Sequence, residues 1–329
     1  MVNGSVKKKF LVCGSGSIGI RHIENLLLLK QDVYVWQERK NHSKKFKIKF
    51  PKIKIIKSLD KAINSSDAVI IANSTHKHVK VLKKTLKHDK NIYIEKPISN
   101  NMKYIKKLLP LTKNKIIEVG YQLRNHPNLI FLKKILTNKK LKVYSYRFVM
   151  GHDLRLWRKN HDYKNSYTSD LKKGGGALLE LIHQIDLALW FFGPIKKIVG
   201  ERSKVSDLKI KADDLTNLII VHKNGIAGQI QLDMVSPIYR CEAEILTQKN
   251  IFTWKYNKGI ILKENSKKKT VIHKVNKSFN RNSLFVDSMK NFILRINNKN
   301  KSPTCNFKDG LSSLIAVDKI KKNYLKKVK

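Results

Sequence analysis

Four polar side chains stand inside an otherwise apolar stretch, Gly174 to Gly193, which reads GGGALLELIHQIDLALWFFG. They are Glu180, His183, Gln184 and Asp186. Three glycines open the stretch and Gly193-Pro194 closes it, the pattern of one helix with a flexible entry and a sharp stop. A helix apolar on nearly every side is a buried helix. At ~100° per residue, Glu180, His183 and Gln184 share one arc and Asp186 lies beside His183. Charges buried without partners are costly, so the stripe is expected to face a site, a partner cation or ordered water. The competing reading is a satisfied structural network. The stretch is too short and too polar at its middle to span a membrane.

A second chemical constellation lies near the start of the chain. Lys8 to Cys13 is a short apolar strand, Gly14-Ser15-Gly16-Ser17-Ile18-Gly19 follows at once, and Ile18 to Leu29 reads as a helix. Strand, G-x-G-x-x-G and helix form the context of a dinucleotide fingerprint. Gly14 makes the tight turn, Gly16 lets the backbone approach a pyrophosphate, and Gly19 lets helix and strand pack. The helix N-terminus adds N–H donors and a favourable dipole. Glu38, beyond the strand Asp32 to Trp36, stands near the spacing of an acid that bonds the adenosine ribose. Its charge favours NAD, while Arg39 beside it offers a contact for the 2′-phosphate of NADP.

These loops need strands to position them. Strand patterns at Ile53–Ile56, Asp67–Ala72, Asn91–Glu95 and Ile116–Gly120 alternate with helix patterns at Ser58–Asn64, Thr75–His88 and Met102–Leu111. Such alternation predicts a doubly wound parallel sheet, a Rossmann domain over residues 1–122, with ligands at the carboxyl ends of its strands. Asn73, Ser74 and Glu95-Lys96-Pro97 fall at those ends. A charged lysine at position 96 is placed to hydrogen-bond a substrate hydroxyl or its alkoxide. From Leu141 onward strands follow one another: Leu141–Gly151, Ile195–Arg202, Leu215–His222, Ile226–Leu232, Tyr239–Leu246, Ile251–Trp254 and Lys269–Val275. Asn224-Gly225 marks a hairpin. Residues 123–329 are therefore expected to form an α+β domain with a large open, mainly antiparallel sheet, closed by helices near Leu284–Ile296 and Asp309–Lys329. The last of these is placed to pack back on the first domain. The long polar, aromatic segment His152 to Lys173, with Trp157, Arg158, His161, Tyr163 and Tyr167, has the length of a functional loop.

Global composition narrows the field. The chain has 329 residues, enough for two domains with their own cores. Lys+Arg total 69 against 24 Asp+Glu, a net charge of +45. The lysines are spread along the chain without interleaved aromatics or a recognition motif, so no specific nucleic-acid role is expected. The three cysteines, Cys13, Cys241 and Cys305, have neither a disulfide pattern nor zinc spacing, and no metal is expected. No apolar run reaches membrane-span length and the N-terminus leads straight into a strand. A soluble, cytoplasmic protein is the expectation.

Together these residues resemble the Gfo/Idh/MocA family, named for glucose–fructose oxidoreductase and inositol dehydrogenase. The likeness covers nearly the whole chain. It rests on GSGSIG at Gly14–Gly19, EKP at Glu95–Pro97, GYQLRNHP at Gly120–Pro127 and GGG…HxxD at Gly174–Asp186. Any one of these is weak; four in order are specific. The resemblance implies that the first domain binds NAD or NADP and that the second binds a sugar-like substrate. It assigns the reacting hydroxyl to Lys96, acid–base catalysis to His183 and substrate positioning to Glu180, with Asp186 as a further polar member. Gly14 to Gly19, Glu38, Arg39, Asn73, Ser74, His78, Glu95 and Lys96 form the implied cofactor set. Arg124, Trp157, Tyr163, Tyr167 and Asp186 are candidates for substrate contact. The sequence departs from the family pattern in three places. Glu180 stands three residues before the histidine where an Asp four residues before is common. Asn125 replaces an aromatic, and Asn73 stands where Thr-Pro often lies. The segment Trp157 to Tyr167 resembles a branch linked to cell-surface sugar synthesis. The expected activity is hydride transfer between NAD(P) and a secondary hydroxyl or ketone of a sugar, cyclitol or nucleotide sugar, by a homodimer or homotetramer. The alternative is a non-catalytic dinucleotide-binding sensor of the same fold.

Overall fold

Segments too apolar to stay in water form the first sheet. In the computed structural model, which describes residues 7–38, 43–137, 141–157 and 162–327, four of the five residues of β1 (Lys9–Cys13) are buried. After α1 (Ser17–Leu28) come β2 (Asp32–Trp36), α2 (Ser43–Lys49), β3 (Lys54–Ile55) and α3 (Leu59–Asn64). Then follow β4 (Ala68–Ile71), α4 (His78–Leu86), β5 (Asn91–Ile94), α5 (Ile105–Leu108) and β6 (Ile117–Val119). All pairings are parallel, in the order β3-β2-β1-β4-β5-β6. Continuous Val, Ile and Leu runs suit strands covered on both faces. The strand order reverses between β1 and β4, where ligands bind in open α/β sheets.

The second sheet begins after α6 (Pro127–Leu136) with β7 (Val143–Gly151). The chain continues through α7 (Ala177–Glu180), α8 (His183–Phe192), β8 (Ile195–Ser203), β9 (Leu215–His222) and β10 (Ala227–Asp233). It completes the sheet with β11 (Arg240–Thr247), β12 (Ile251–Lys255), β13 (Ile260–Glu264) and β14 (Lys269–Lys274). The order is β14-β13-β12-β11-β7-β10-β9-β8. Only β7–β10 is parallel; the other pairings run antiparallel. The Asn224-Gly225 turn joins β9 to β10, with Gly225 at φ +87° and its N–H on the His222 carbonyl at 3.1 Å. Burial alternates along β9, β10 and β11, as a sheet with one covered face requires.

The strand β13 is absent from the sequence-based assignment. Its five residues, IILKE, are flanked by lysines and a 3₁₀ turn, and they pair on both sides only in the folded sheet.

The chain divides into two units, Met1–Gln122 with Asn280–Gly310 and Leu123–Phe279 with Leu311–Lys329. The first unit is thus assembled from two separated segments. Its late segment carries α9 (Arg281–Asn297), which begins with an Asn280/Ser283 capping box. Met289 and Phe292 of α9 join Phe10, Val12, Ile23, Leu26, Val35 and Tyr93 in one buried cluster. Phe292 meets Phe10 edge-on at 6.4 Å, and the Tyr93 and Ser288 hydroxyls are 3.0 Å apart. A final helix, α10, spans Phe307–Lys327. Among the described residues no single helix is long and apolar enough to cross a membrane.

Candidate functional site

The glycine turn has the tight geometry expected of Gly14 and Gly19. Gly14 sits at φ +117°, where a side chain would meet the Ala72 carbonyl at 2.8 Å. Its N–H donates to the Trp36 carbonyl at 3.0 Å, tying the end of β1 to the end of β2. A Cβ on Gly19 would stand 2.1 Å from the Gly14 carbonyl oxygen, so the helix packs on the turn only without one. A Cβ on Gly16 would meet nothing within 4 Å. That open backbone lies at the start of α1, whose first-turn N–H groups lack intrahelical acceptors. These residues fit the pyrophosphate of a dinucleotide. Gly16 and Ser17 are exposed, and Ser15 and Ile18 are partly so.

Glu38 follows β2 and accepts from two lysines, Lys77 and Lys80, the latter at 2.9 Å. Those bonds, with Lys77 the stronger influence, lower its pKa from 4.5 to about 2. Its carboxylate is therefore ionised, as the ribose contact expected of it requires. Arg39 lies outside the described residues, as do Arg158 and His161.

Asn73 and Ser74 follow β4 and are half-buried. His78 opens α4 and is buried, with Nδ1 2.9 Å from the Pro97 carbonyl oxygen and Nε2 2.9 Å from that of Asn73. Burial pushes its pKa below the ordinary value, against the opposing pull of both carbonyls. Glu95 follows β5 and is buried, and its Oε1 lies 2.7 Å from Nε2 of buried His22 on α1. The same carboxylate fills the space beside Gly120, where a Cβ would stand 2.9 Å from Oε1. Lys96, next in the chain, is half-buried. His22 carried no motif of its own and was not among the expected residues.

The polar helix differs from its expected form. It is not one helix: the helical segment Leu171–Glu180, which ends with α7, and α8 meet at a 52° bend, with Leu181 and Ile182 at the break. The shared arc of Glu180, His183 and Gln184 therefore does not exist, because a helical wheel holds only within one unbroken helix. Glu180, Gln184 and Asp186 each make side-chain hydrogen bonds to other elements. Thr168 Oγ1 donates to Glu180 Oε1 at 3.3 Å. Gln184 is fully buried and donates to the Val149 carbonyl of β7 at 3.2 Å. Asp186 accepts from Arg124 twice, Nε to Oδ2 at 2.9 Å and Nη2 to Oδ1 at 2.7 Å. His183 is 5% exposed, at the first turn of α8.

The three-glycine entry is built around Asp213, which no sequence motif singled out. Gly174 and Gly176 take φ +91° and +97°. A Cβ on Gly176 would stand 2.3 Å from Asp213 Oδ1. The carboxylate accepts from the Leu178 N–H at 2.9 Å, from Thr216 Oγ1 at 3.0 Å and from Arg202. It thereby satisfies a first-turn donor of α7 from the sheet side.

The described parts of the preceding loop are folded rather than irregular. It holds 3₁₀ turns at Leu154–Leu156, Tyr167–Ser169 and Leu171–Lys173. Trp157 donates to the His152 carbonyl at 2.9 Å. The Tyr163 hydroxyl accepts from the Lys209 N–H at 3.4 Å. Trp157, Tyr163 and Tyr167 remain half-buried. Among the described residues no group of three His, Cys, Asp or Glu is arranged to hold a metal ion.

Comparison with known proteins agrees with this fold. Residues 8–121 match the family model described as an oxidoreductase family with an NAD-binding Rossmann fold, and residues 132–253 match the GFO/IDH/MocA C-terminal domain. No curated protein matches the sequence. Among solved structures, UDP-N-acetylglucosamine 3-dehydrogenase GnnA from Acidithiobacillus ferrooxidans aligns with a TM-score of 0.79 at 16% identity, over 97% of this chain and 98% of that one. Levoglucosan dehydrogenase in complex with NADH aligns at 0.85 and 16% identity, over 98% of both chains. GenD2 from gentamicin A biosynthesis, in complex with NAD, aligns at 0.80 and 17% identity, over 97% of this chain and 95% of that one. At such identities the likeness is one of fold.

Proposed function

Because the chain belongs to the Gfo/Idh/MocA family of NAD-binding oxidoreductases, we propose that it is a dehydrogenase acting on a secondary hydroxyl or ketone of a sugar, cyclitol or nucleotide sugar. The observation that carries this reading is the open glycine cradle at Gly14–Gly19 in a family-matched chain that also retains Lys96 and His183. The names of the aligned dehydrogenases, which act on UDP-N-acetylglucosamine and levoglucosan, support the sugar class. A role in cell-surface polysaccharide synthesis rests on the Trp157–Tyr167 resemblance. Residues 1–122 with 280–310 form the proposed dinucleotide domain, and 123–279 with 311–329 the substrate and sheet domain, where the sequence alone divides the chain at 122/123.

NAD supplies hydride transfer at its nicotinamide when bound. The chain supplies orientation and proton handling. Gly14 to Gly19 present backbone N–H groups to the pyrophosphate, and Glu38 accepts from the ribose hydroxyls. Glu38 makes NAD the proposed partner over NADP by repelling a 2′-phosphate. The Lys96 ammonium donates to the substrate oxygen as negative charge develops there. His183 takes the hydroxyl proton on an imidazole nitrogen during oxidation and returns it during reduction. Glu180 orients the substrate, while Trp157, Tyr163 and Tyr167 present ring faces and polar tips to it. Arg124 and Asp186 support this arrangement as a pair.

A homo-oligomer, dimeric or tetrameric, is proposed through the outer face of the second sheet. There Val199, Ile219, Leu246 and Ile251 are exposed and Ile219, Arg147, Gln229 and Glu244 line a shallow depression.

Thermal melting with NAD and NADP tests the cofactor, and a panel of free and nucleotide-linked sugars tests the substrate. Lys96→Ala and His183→Ala are each expected to lower kcat at least ~100-fold, the usual weight of an acid–base group. Turnover within tenfold of wild type in both variants overturns the catalytic assignment. Cofactor binding with no turnover on any sugar supports the sensor reading instead.

A further inference from the structure

The imidazole of His78 is 1% exposed and lies between two strand ends. Its Nδ1 is 2.9 Å from the carbonyl oxygen of Pro97, which follows Lys96 after β5. Its Nε2 is 2.9 Å from the carbonyl oxygen of Asn73, which follows β4. These are neighbouring strands, paired Ile71 to Ile94 at their ends. One ring therefore bridges the loop that follows β4 and the turn that carries Lys96. A neutral imidazole donates through one nitrogen and a protonated one through both; in either state the ring fills the gap between the carbonyls. The other flank of Lys96 is anchored as well. Glu95 is held by His22 from α1 at 2.7 Å, and both side chains are buried. Lys96 itself stays half-buried between these two fixed neighbours.

We infer that His78 is a positioning residue for Lys96, setting the turn at Glu95–Pro97 by bridging the Asn73 and Pro97 carbonyls. The inference rests on the proposed role of Lys96. A lysine on a long, flexible stem depends on a fixed backbone to place its ammonium within hydrogen-bond reach, and small displacements are costly in catalysis. Gln at this position keeps an N–H₂ group able to reach a carbonyl, whereas Asn is shorter by one methylene and Leu donates nothing.

The test compares His78→Gln, His78→Asn and His78→Leu with wild type and with Lys96→Ala. Steady-state kinetics at saturating NAD and sugar are run well below each melting temperature. A second readout follows the acetylation rate of Lys96, resolved from the other lysines by peptide mass spectrometry. His78→Asn and His78→Leu are expected to lose at least tenfold in kcat and to change the Lys96 acetylation rate at least threefold. His78→Gln is expected to recover most of both. If His78→Leu does not fold, the Gln and Asn pair decides. Equal kcat and equal Lys96 reactivity in Gln, Asn and wild type overturn the inference while leaving Lys96 in place. An active Lys96→Ala overturns the reading beneath it, whatever the His78 variants do.

Discussion

Arg124 grips Asp186 through two parallel hydrogen bonds, 2.9 and 2.7 Å long, with the side chains 5% and 1% exposed. The guanidinium also lies 5.9 Å from the centre of the Trp190 ring. The pair fastens the 3₁₀ turn Gln122–Asn125 to α8, one helical turn beyond His183. Each residue, read alone, is a candidate for substrate contact; together they form the partner cation and buried acid that the apolar stretch required.

Breaking this pair from one side leaves a charge in a dry setting. Asp186→Ala is expected to destabilise the protein by about 3–5 kcal/mol, the range for an orphaned buried ion. The double variant Arg124→Met/Asp186→Leu is expected to lose far less, since neither charge is then buried. Urea unfolding of the three proteins measures both numbers. A double variant that loses as much as Asp186→Ala would show that the orphaned guanidinium carries no burial penalty, against this expectation.

The three glycines of the first turn separate binding from folding. Gly16→Val adds a side chain where nothing lies within 4 Å, so the melting temperature should stay within a few degrees. Affinity for NAD should fall at least tenfold, because the added side chain occupies the approach of the pyrophosphate. Gly19→Ala places a carbon 2.1 Å from the Gly14 carbonyl oxygen and should destabilise the fold itself. Calorimetric titration with NAD alongside thermal melting distinguishes the two outcomes.

Glu38 holds two lysines, and its removal changes the charge offered to the ribose. With Glu38→Gln, Lys77 and Lys80 lose the carboxylate they share. The ratio of Kd for NADP to Kd for NAD is expected to drop at least tenfold, through weaker NAD binding and stronger NADP binding. Fluorescence titration gives both constants. An unchanged ratio would place the adenosine ribose away from Glu38.

Stability of the first unit should carry a pH signature from Glu118 in β6. Burial pushes its pKa up from 4.5 to about 7, although the Cys305 N–H donates to it at 2.7 Å and Arg295 Nη1 lies 3.4 Å away. Between these two values the native state keeps a proton that the unfolded chain releases. Stability from this group is therefore present below the unfolded value and falls as pH rises toward about 7, levelling off above it. Glu118→Gln removes the titration and keeps an acceptor for the Cys305 N–H. The melting temperature of the variant minus that of wild type should rise by several degrees between about pH 5 and about pH 8. A difference that is flat or falls across this range contradicts the assignment.

The first sheet was legible because its strands are buried on both faces, so β1, β4 and β5 read as apolar runs whatever their neighbours. The glycine turn was legible because each glycine answers a local steric demand. The break between α7 and α8 was not. Leu181 and Ile182 carry no proline or glycine to announce it, and apolar periodicity runs through both helices. The strand β13 escaped for a related reason, since a short segment beside lysine-rich flanks becomes a strand only when β12 and β14 flank it.

From the sequence alone, then, came the alternation of strands and helices in the first domain, the parallel and antiparallel character of the two sheets, the glycine-turn motif and the residue types able to handle a proton, but not α2, β13 or the break between α7 and α8. These depend on patterns a few residues long: apolar runs, turn glycines and an acid at the end of a strand. The tertiary structure decided the partners. Arg124 meets Asp186 across 62 positions, His22 meets Glu95 across 73, and Asp213 reaches Leu178 across 35. It also placed residues 280–310 with the first unit. A buried polar group must find a partner wherever the packed chain brings one, and local spacing does not determine which distant residue that is.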